Sequence, residues 1–291
     1  MKVIEPKVEI WEQPKGIEGI YKQIERAGRV CYKSEDHTTE DSAKPFVERL
    51  VVSKHYAMLE HGTVYLNVPF NDKKNGALRL GNILTLNEHT MSVYGKSSAF
   101  FATNMRVLVE HGLWDIAKYF ISDFSFPEED IAPLRRVTVH FTTQIAVSRE
   151  ANRHRVNSMA EQSTRFCNYS KYKFGGEIAI NKPSWIEKDN FVHSLSYDPM
   201  NMLDPVEVWW SANAYAEACY MRLLQLGWKP EQARTILPLD TNTELVHTAF
   251  VSDWMHFFDL RALSKTGKAH PDMIAVAKPL YEEFKKRGYI K

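Results

Sequence analysis

The strongest constraint on the fold is one alternating segment in the middle of the chain, RRVTVHFTTQIAV, residues 135–147. Val137, Val139 and Phe141 alternate with polar residues, which is the two-residue period of a β-strand. The segment runs without a glycine or proline into SREANRHR, where the alternation stops. We therefore predict a strand that ends in a helix or tight turn carrying several charged side chains.

Further elements are predicted on both sides of this strand from apolar spacing, caps and breakers. Strands are predicted at 8–13, 63–68 and 177–181, and helices at 17–28, 42–51, 106–124, 205–227, 229–237, 241–263 and 270–288. Because strands come early, helices come late and no repeat or linker intervenes, a single α+β domain with a helical C-terminal third is expected.

Composition excludes several classes of protein. The formal net charge of the 291-residue chain is +1, whereas a general nucleic-acid binder usually carries a basic excess. No apolar run approaches the ~18–20 residues of a membrane span, and the N-terminus has charges where a signal peptide needs an apolar core. The three cysteines are widely spaced, without a disulfide or metal-site pattern. We expect a cytoplasmic protein that binds neither nucleic acid nor membrane and holds no metal.

An unusual concentration of cations occupies the stretch NRHRVNSMAEQSTRF, residues 152–166. A solvated helix face would balance these arginines with acidic residues four positions away, but only Glu161 is present. Guanidinium groups bind phosphate through two parallel hydrogen bonds and stay charged at any working pH. The residues alone leave two interpretations open, a solvated surface and an anion site.

The same stretch resembles the flavin-dependent thymidylate synthases. Arg153-His154-Arg155, seven residues and then Ser163 match the RHR-x7-S motif of that family, and Glu161 and Arg165-Phe166 extend the match. Further blocks occur in the family's order along the chain: GRVCYKSE at 28–35, Glu60-His61-Gly62-Thr63, Arg234 with Leu237-Pro238-Leu239, and Leu260-Arg261. The resemblance therefore extends over most of the chain.

The resemblance implies a specific reaction and a specific set of contacts. It implies conversion of dUMP to dTMP with methylenetetrahydrofolate as carbon donor and FAD, reduced by NADPH, as hydride carrier. The residues that it implies for dUMP are Glu150, Arg153, Glu161, Gln162, Ser163, Thr164, Arg165, Arg234 and Arg261. Those that it implies for FAD are His61, Thr63, Arg153, His154, Arg155, Glu161 and His256. Arg261 is the implied catalytic residue, placed against the uracil edge where negative charge develops.

The family resemblance also implies a mainly antiparallel sheet flanked by helices and a homotetramer whose active sites are shared between subunits. This chain departs from the compact family members by an insertion at about 71–134, either a lid or a surface elaboration, of which the second is favoured. Phe250 and Ser252 stand where compact members place Asn and Arg against the flavin, and His256 replaces another Asn.

Two other functions compete with this interpretation. A phosphate-binding nucleotide hydrolase, or another nucleotide-binding protein without flavin, would use the arginines for phosphate alone. A nucleic-acid-binding module would need a basic stripe, which the near-neutral charge balance disfavours. The cysteine-dependent class of thymidylate synthase needs an activated thiol, but none of the three cysteines follows a proline as the nucleophile of that class does.

Overall fold

A computed structural model describes residues 1–72, 76–123, 131–187 and 199–291 of the chain. Its strands are β1 (Lys2–Ile4), β2 (Lys7–Trp11), β3 (Thr63–Pro69), β4 (Met91–Tyr94), β5 (Ser98–Asn104), β6 (Arg136–Gln144), β7 (Ser158–Glu161), β8 (Ala179–Asn181) and β9 (Asn242–Phe250). Its helices are α1 (Gly16–Val30), α2 (Ala43–Val52), α3 (Ala77–Thr85), α4 (Met105–Glu110), α5 (Trp114–Ala117), α6 (Ile145–Ala151), α7 (Pro205–Gln225), α8 (Pro230–Ala233), α9 (Val251–Arg261) and α10 (Pro271–Lys286).

A four-stranded sheet in the order β2-β6-β9-β7 forms the centre of the fold, and each neighbouring pair is antiparallel. The predicted alternating strand is β6, which pairs with β9 from Arg136 opposite Phe250 to Gln144 opposite Asn242. A second antiparallel sheet has the order β3-β5-β4, and β1 and β8 form a parallel pair. The expected α+β class with a mainly antiparallel sheet is confirmed.

The predicted helix at 241–263 is wrong in its first half, where the chain forms β9 before turning into α9. β9 lies between β6 and β7 and is buried along nearly its whole length. Its polar residues come in pairs, Thr243-Glu244 and His247-Thr248, separated by the apolar pair Leu245-Val246, so the sequence shows helix-like spacing instead of the alternation of a half-exposed strand. The C-terminal third is therefore helical with one central strand inserted.

The segment at about 71–134 is more than a surface elaboration. β4 and β5 extend a sheet from β3, and side chains of the segment are fully buried in the hydrophobic core that they share with α1 and α2, among them Leu80, Leu84 and Phe101. The single helix predicted at 106–124 is divided into α4 and α5, with Gly112 at a φ of +62° between them. Phe124 lies outside the described residues.

A second core lies beneath the central sheet, where α9 and α10 pack on one face. Trp254 is fully buried there and donates from its indole nitrogen to the carbonyl of Val137 at 3.1 Å. This packing holds the C-terminal end of α9, and therefore Arg261, beside the chain that follows β6. Within the four described ranges, no helix combines the length and hydropathy needed to cross a membrane.

Candidate active site

One face of the short helix α6 borders a cavity that most of the predicted nucleotide contacts surround. Ile145, Ser148 and Arg149 are spaced at i, i+3 and i+4, so they share one face of α6, and that face lines a cavity of about 340 Å³. The other residues that line the cavity are Glu161, Gln162, Ser163, Thr164 and Arg234. Five of the nine residues predicted for dUMP therefore surround one cavity, and its two guanidinium groups are those of Arg234, one of the five, and of Arg149.

The backbone of the 162–164 segment is held from two sides. The Gln162 amide donates to the carbonyl of Glu244 on β9 at 2.8 Å, and the Ser163 amide donates to the carbonyl of Cys31 at 2.9 Å. The hydroxyl of Thr164 accepts a hydrogen bond of 3.2 Å from Arg234. Segments far apart in the sequence thus determine the shape of this wall of the cavity.

Glu161 uses its carboxylate to join the elements around this wall. One oxygen accepts hydrogen bonds from Ser148 at 2.6 Å and Thr243 at 3.2 Å, and the other accepts from Asn152 at 2.9 Å. These three neutral donors stabilise the negative charge of the Glu161 carboxylate by hydrogen bonding. The structure therefore gives Glu161 a positioning role, and its predicted contacts with dUMP and FAD stay predictions.

Arg261 and Glu150 form a second group at the C-terminal end of α6. Arg261 donates to the Glu150 carboxylate at 2.7 Å and to the Glu150 carbonyl at 3.2 Å. Its Nε donates to Nε2 of His154 at 3.2 Å, so the proton of the neutral imidazole is on Nδ1. Burial first and the Arg261 charge second lower the pKa of His154 to about 4. Arg261 is thus a fixed cation beside a neutral histidine at neutral pH.

The remaining cations of the motif point elsewhere. Arg153 and Arg165 are exposed, and Arg165 pairs with Glu231 at 3.2 Å. Neither of these arginines lines the 340 Å³ cavity. The ring of His256, also exposed, lies 5.7 Å from that of His154. The predicted ligand contacts of these three residues therefore stay predictions.

A second cavity, of about 620 Å³, lies beside Arg155, and none of the described residues lines both cavities. Phe250 and Ser252 line it, and so do residues of the 71–134 segment, including Arg106. Arg136 donates to the Thr63 and Ser158 hydroxyls at 3.2 and 3.3 Å. Its buried Nε has no hydrogen-bond partner within the described ranges, and no carboxylate there pairs with it.

Four carboxylates also line this second cavity, those of Glu60, Glu88, Glu110 and Asp253. Arg106 pairs with Glu60 at 2.6 Å and with Glu110 at 3.0 Å. Within the described ranges, Arg136 and Arg155 are therefore the lining arginines without an ion pair, and a polyanion such as the diphosphate of a dinucleotide would pair with them.

His61 and Thr63, predicted to line the flavin, are both buried. Nδ1 of His61 lies 2.9 Å from the Thr248 hydroxyl, and burial followed by the Arg136 charge lowers the pKa of His61 to about 3. His61 reaches no surface of the single chain, being 0% exposed. Its predicted contact with the flavin stays a prediction.

Three further residues of the site were not predicted. Arg149 could have been found, because it follows Ser148 on the face that a helical interpretation of SREANRHR exposes. Arg136 begins the alternating strand and reads as an ordinary polar position. His247 is fully buried on β9 and hydrogen-bonds Asn157 at 3.2 Å and Asn152 at 3.3 Å. It was hidden within the segment wrongly predicted as helix.

A family model described as "Thymidylate synthase complementing protein" matches residues 128–287, more than half of the chain. The chain belongs to this family. All the residues predicted above to contact dUMP or FAD, except His61 and Thr63, lie within the matched part of the chain.

Individual relatives are more distant. A probable flavin-dependent thymidylate synthase from Paramecium bursaria Chlorella virus 1 is 32% identical over 90 residues, which are 28% of this chain and 42% of the relative. A flavin-dependent thymidylate synthase from Sulfurisphaera tokodaii is 31% identical over 184 residues, 62% of this chain and 57% of the relative. The chain thus spans about half the length of these relatives.

Among solved structures, the UMP/dUMP methylase PolB from Streptomyces cacaoi bound with 5-Br dUMP aligns with a TM-score of 0.44. It is 18% identical, and the alignment covers 98% of this chain and 93% of that one.

Proposed function

We propose that this chain converts dUMP to dTMP by reductive methylation, with methylenetetrahydrofolate as carbon donor and FAD, reduced by NADPH, as hydride carrier. The observation that carries the proposal is the cavity that places Arg149 and Arg234 around the 162–164 segment. The Arg261–Glu150 pair does not line this cavity, but it is held at the C-terminal end of the same helix, α6. Membership of the family and relatives named as flavin-dependent thymidylate synthases support it.

The first cavity suits a nucleoside monophosphate. A phosphate monoester carries about −1.5 to −2 charges at neutral pH, which two guanidinium groups balance. The cavity of about 340 Å³ falls within the ~300–1,000 Å³ of small-molecule sites. Arg149 and Arg234 bind the phosphate in this proposal, while the Ser163 and Thr164 hydroxyls orient it.

Arg261 stabilises the charge that develops on the pyrimidine. Making C5 of uracil nucleophilic moves negative charge onto the ring nitrogen and carbonyl oxygens. A guanidinium held by Glu150 can donate to that charge without reorganising and without losing its own proton. The neutral His154 keeps the side of Arg261 that faces it free of a competing cation.

The second cavity holds FAD in this proposal, which supplies a hydride when bound. Arg155 and Arg136 contribute cations to its diphosphate, and Phe250 offers an apolar wall where compact family members have a polar residue. The predicted contacts of His61, Thr63, Arg153 and His256 belong to the same proposal.

The assembly is also part of the proposal. None of the described residues lines both cavities in one chain, and His61 is inaccessible in it. We infer a homotetramer in which neighbouring copies complete each site, built from a single domain with a family-variable insertion at about 71–134. Light scattering after size-exclusion chromatography measures the assembly directly.

The decisive experiment is a visible spectrum of the purified protein, followed by a turnover assay. We expect a yellow protein that NADPH bleaches, and dTMP formation when dUMP and methylenetetrahydrofolate are added. A colourless protein that does not quench the fluorescence of added FAD would refute the flavin assignment. If that colourless protein still binds dUMP and releases phosphate, the nucleotide hydrolase is the correct function.

A further inference from the structure

The turn at residues 31–34, in the GRVCYKSE segment, has no ligand assigned to it, yet it supports the nucleotide cavity. The carbonyl of Cys31 accepts the 2.9 Å hydrogen bond from the Ser163 amide. Lys33 adopts a φ of +50°, a conformation that few residues other than glycine and asparagine adopt readily. The turn is therefore held in an unusual shape at a point where it contacts the cavity wall.

An ion pair connects this turn to the central sheet. The ammonium group of Lys33 contacts the Glu244 carboxylate, whose second oxygen lies 2.9 Å from Nε2 of His140. The Glu244 side chain is only 14% exposed, so the pair is partly shielded from water. Burial alone would raise the pKa of Glu244, but His140 and Lys33 outweigh it and lower the pKa to about 2. The carboxylate stays charged at every working pH.

These contacts and the chain itself form a closed ring that includes the cavity wall at residues 162–163. Glu244 accepts the Gln162 amide at its carbonyl and binds Lys33 with its side chain, while Cys31, two residues before Lys33, accepts the Ser163 amide. Lys173 closes the turn from outside by donating to the carbonyl of Lys33 at 2.7 Å. Moving the turn away from β9 would therefore pull on the backbone of Ser163.

We propose that the Lys33–Glu244 ion pair is a positioning device for nucleotide binding, which fixes the 162–164 backbone in the shape that accepts the nucleotide phosphate. This inference rests on the proposed function of the same cavity. Neither Lys33 nor Glu244 lines the cavity, so both act through the backbone that they hold.

Lys33→Asn and Lys33→Arg separate the ion pair from the turn. Asparagine tolerates a positive φ but cannot reach Glu244, whereas arginine can form the pair again. On the FAD-loaded protein, we expect Lys33→Asn to raise the dissociation constant of dUMP about tenfold, the equivalent of about one weakened hydrogen bond to the phosphate, with kcat within about twofold. Lys33→Arg should restore most of the affinity. Titration calorimetry and the KM for dUMP measure both effects.

Glu244→Gln distinguishes positioning from simple electrostatics. Removing a negative charge near a phosphate site should tighten dUMP binding if only the local field matters. If the ion pair positions the wall, Glu244→Gln weakens dUMP binding. The double variant, Lys33→Asn with Glu244→Gln, should then bind dUMP no more weakly than the single variant with the lower dUMP affinity. Lys118→Asn breaks a lysine–carboxylate pair of 2.8 Å with Asp115 and serves as the matched control, with unchanged dUMP affinity.

The outcomes are distinct. Wild-type dUMP affinity in folded Lys33→Asn, or tighter binding in Glu244→Gln, would overturn the positioning role and leave the proposed function intact. A wild-type protein that binds no dUMP would overturn both. Melting temperatures of all variants show whether a loss of affinity comes instead from unfolding.

Discussion

Replacing Arg261 by lysine tests whether the planar guanidinium is needed for chemistry. The wild-type side chain makes three hydrogen bonds, to the carboxylate and the carbonyl of Glu150 and to the ring of His154. A lysine keeps the positive charge and can keep the carboxylate contact. Its side chain has one nitrogen in place of three. It therefore cannot hydrogen-bond both Glu150 and His154 and still present a donor to the substrate in a fixed plane.

We expect this change to have a small effect on the free energy of unfolding and a larger effect on the rate of the reaction. The folded state loses two hydrogen bonds, each worth ~0.5–1.5 kcal/mol, in a site where the Arg261 side chain is 17% exposed. We therefore expect a loss of about 2 kcal/mol in the free energy of unfolding. Losing a donor aimed at developing charge costs ~10²–10³ in rate, or about 3–4 kcal/mol. The variant should remain folded but almost inactive.

The assay compares three quantities in the same preparation of Arg261→Lys. Flavin content and NADPH oxidation should stay near wild-type values, whereas dTMP formed at saturating dUMP should fall by at least about a hundredfold. Arg234→Lys is the comparison, because Arg234 lines the phosphate cavity and should contribute equally to ground and transition states. Its loss is expected in the KM for dUMP, with kcat little changed.

Turnover of Arg261→Lys within a few fold of wild type would remove Arg261 from the mechanism. Recovery of full turnover at high dUMP concentration would give Arg261 a role in binding alone. Loss of flavin together with activity would move its role to the cofactor side, through His154.

Three other changes probe the site and its environment. Replacing all three cysteines by serine or alanine should leave dTMP formation within about tenfold, allowing ~1 kcal/mol for packing at the buried Cys167; complete loss in a flavin-loaded protein would indicate covalent catalysis. Arg149→Ala should raise the KM for dUMP about tenfold without lowering kcat, and an unchanged KM would exclude phosphate binding by Arg149. His61, His154 and His247 have pKa values of about 3, about 4 and about 3, against 6.5 when unfolded. The unfolded chain therefore binds more protons in acid, and the stability present above pH 6.5 should fall by up to ~1.4 kcal/mol per pH unit for each histidine until the pH reaches its folded-state pKa, about 4 for His154 and about 3 for the other two. A flat urea-denaturation midpoint from pH 7 to 5 would contradict this.

Local pattern was enough to predict the element that organises the site. The alternation in β6 and its abrupt end before α6 depend on neighbouring side chains along one stretch of chain, and both predictions are confirmed. The RHR-x7-S motif likewise carried enough local information to indicate the family.

Hydrophobic alternation failed to predict β9, a strand that is buried on both faces. β9 is covered on both faces and paired on both edges, and its polar residues come in pairs, Thr243-Glu244 and His247-Thr248, instead of at alternate positions. The same failure hid His247, whose two asparagine partners come from the turn after α6.

The sequence by itself therefore determined the fold class, the main strand, the cationic motif and the family. Only the tertiary structure decided which cations share a cavity: Arg149 and Arg234 do, whereas Arg155 lines another and Arg165 turns to Glu231. It also decided that Glu150 holds Arg261 and that Lys33, in the turn after α1, reaches Glu244 on β9. The physical reason is that periodicity is a property of adjacent residues, whereas convergence depends on strand order and on packing between segments more than a hundred residues apart.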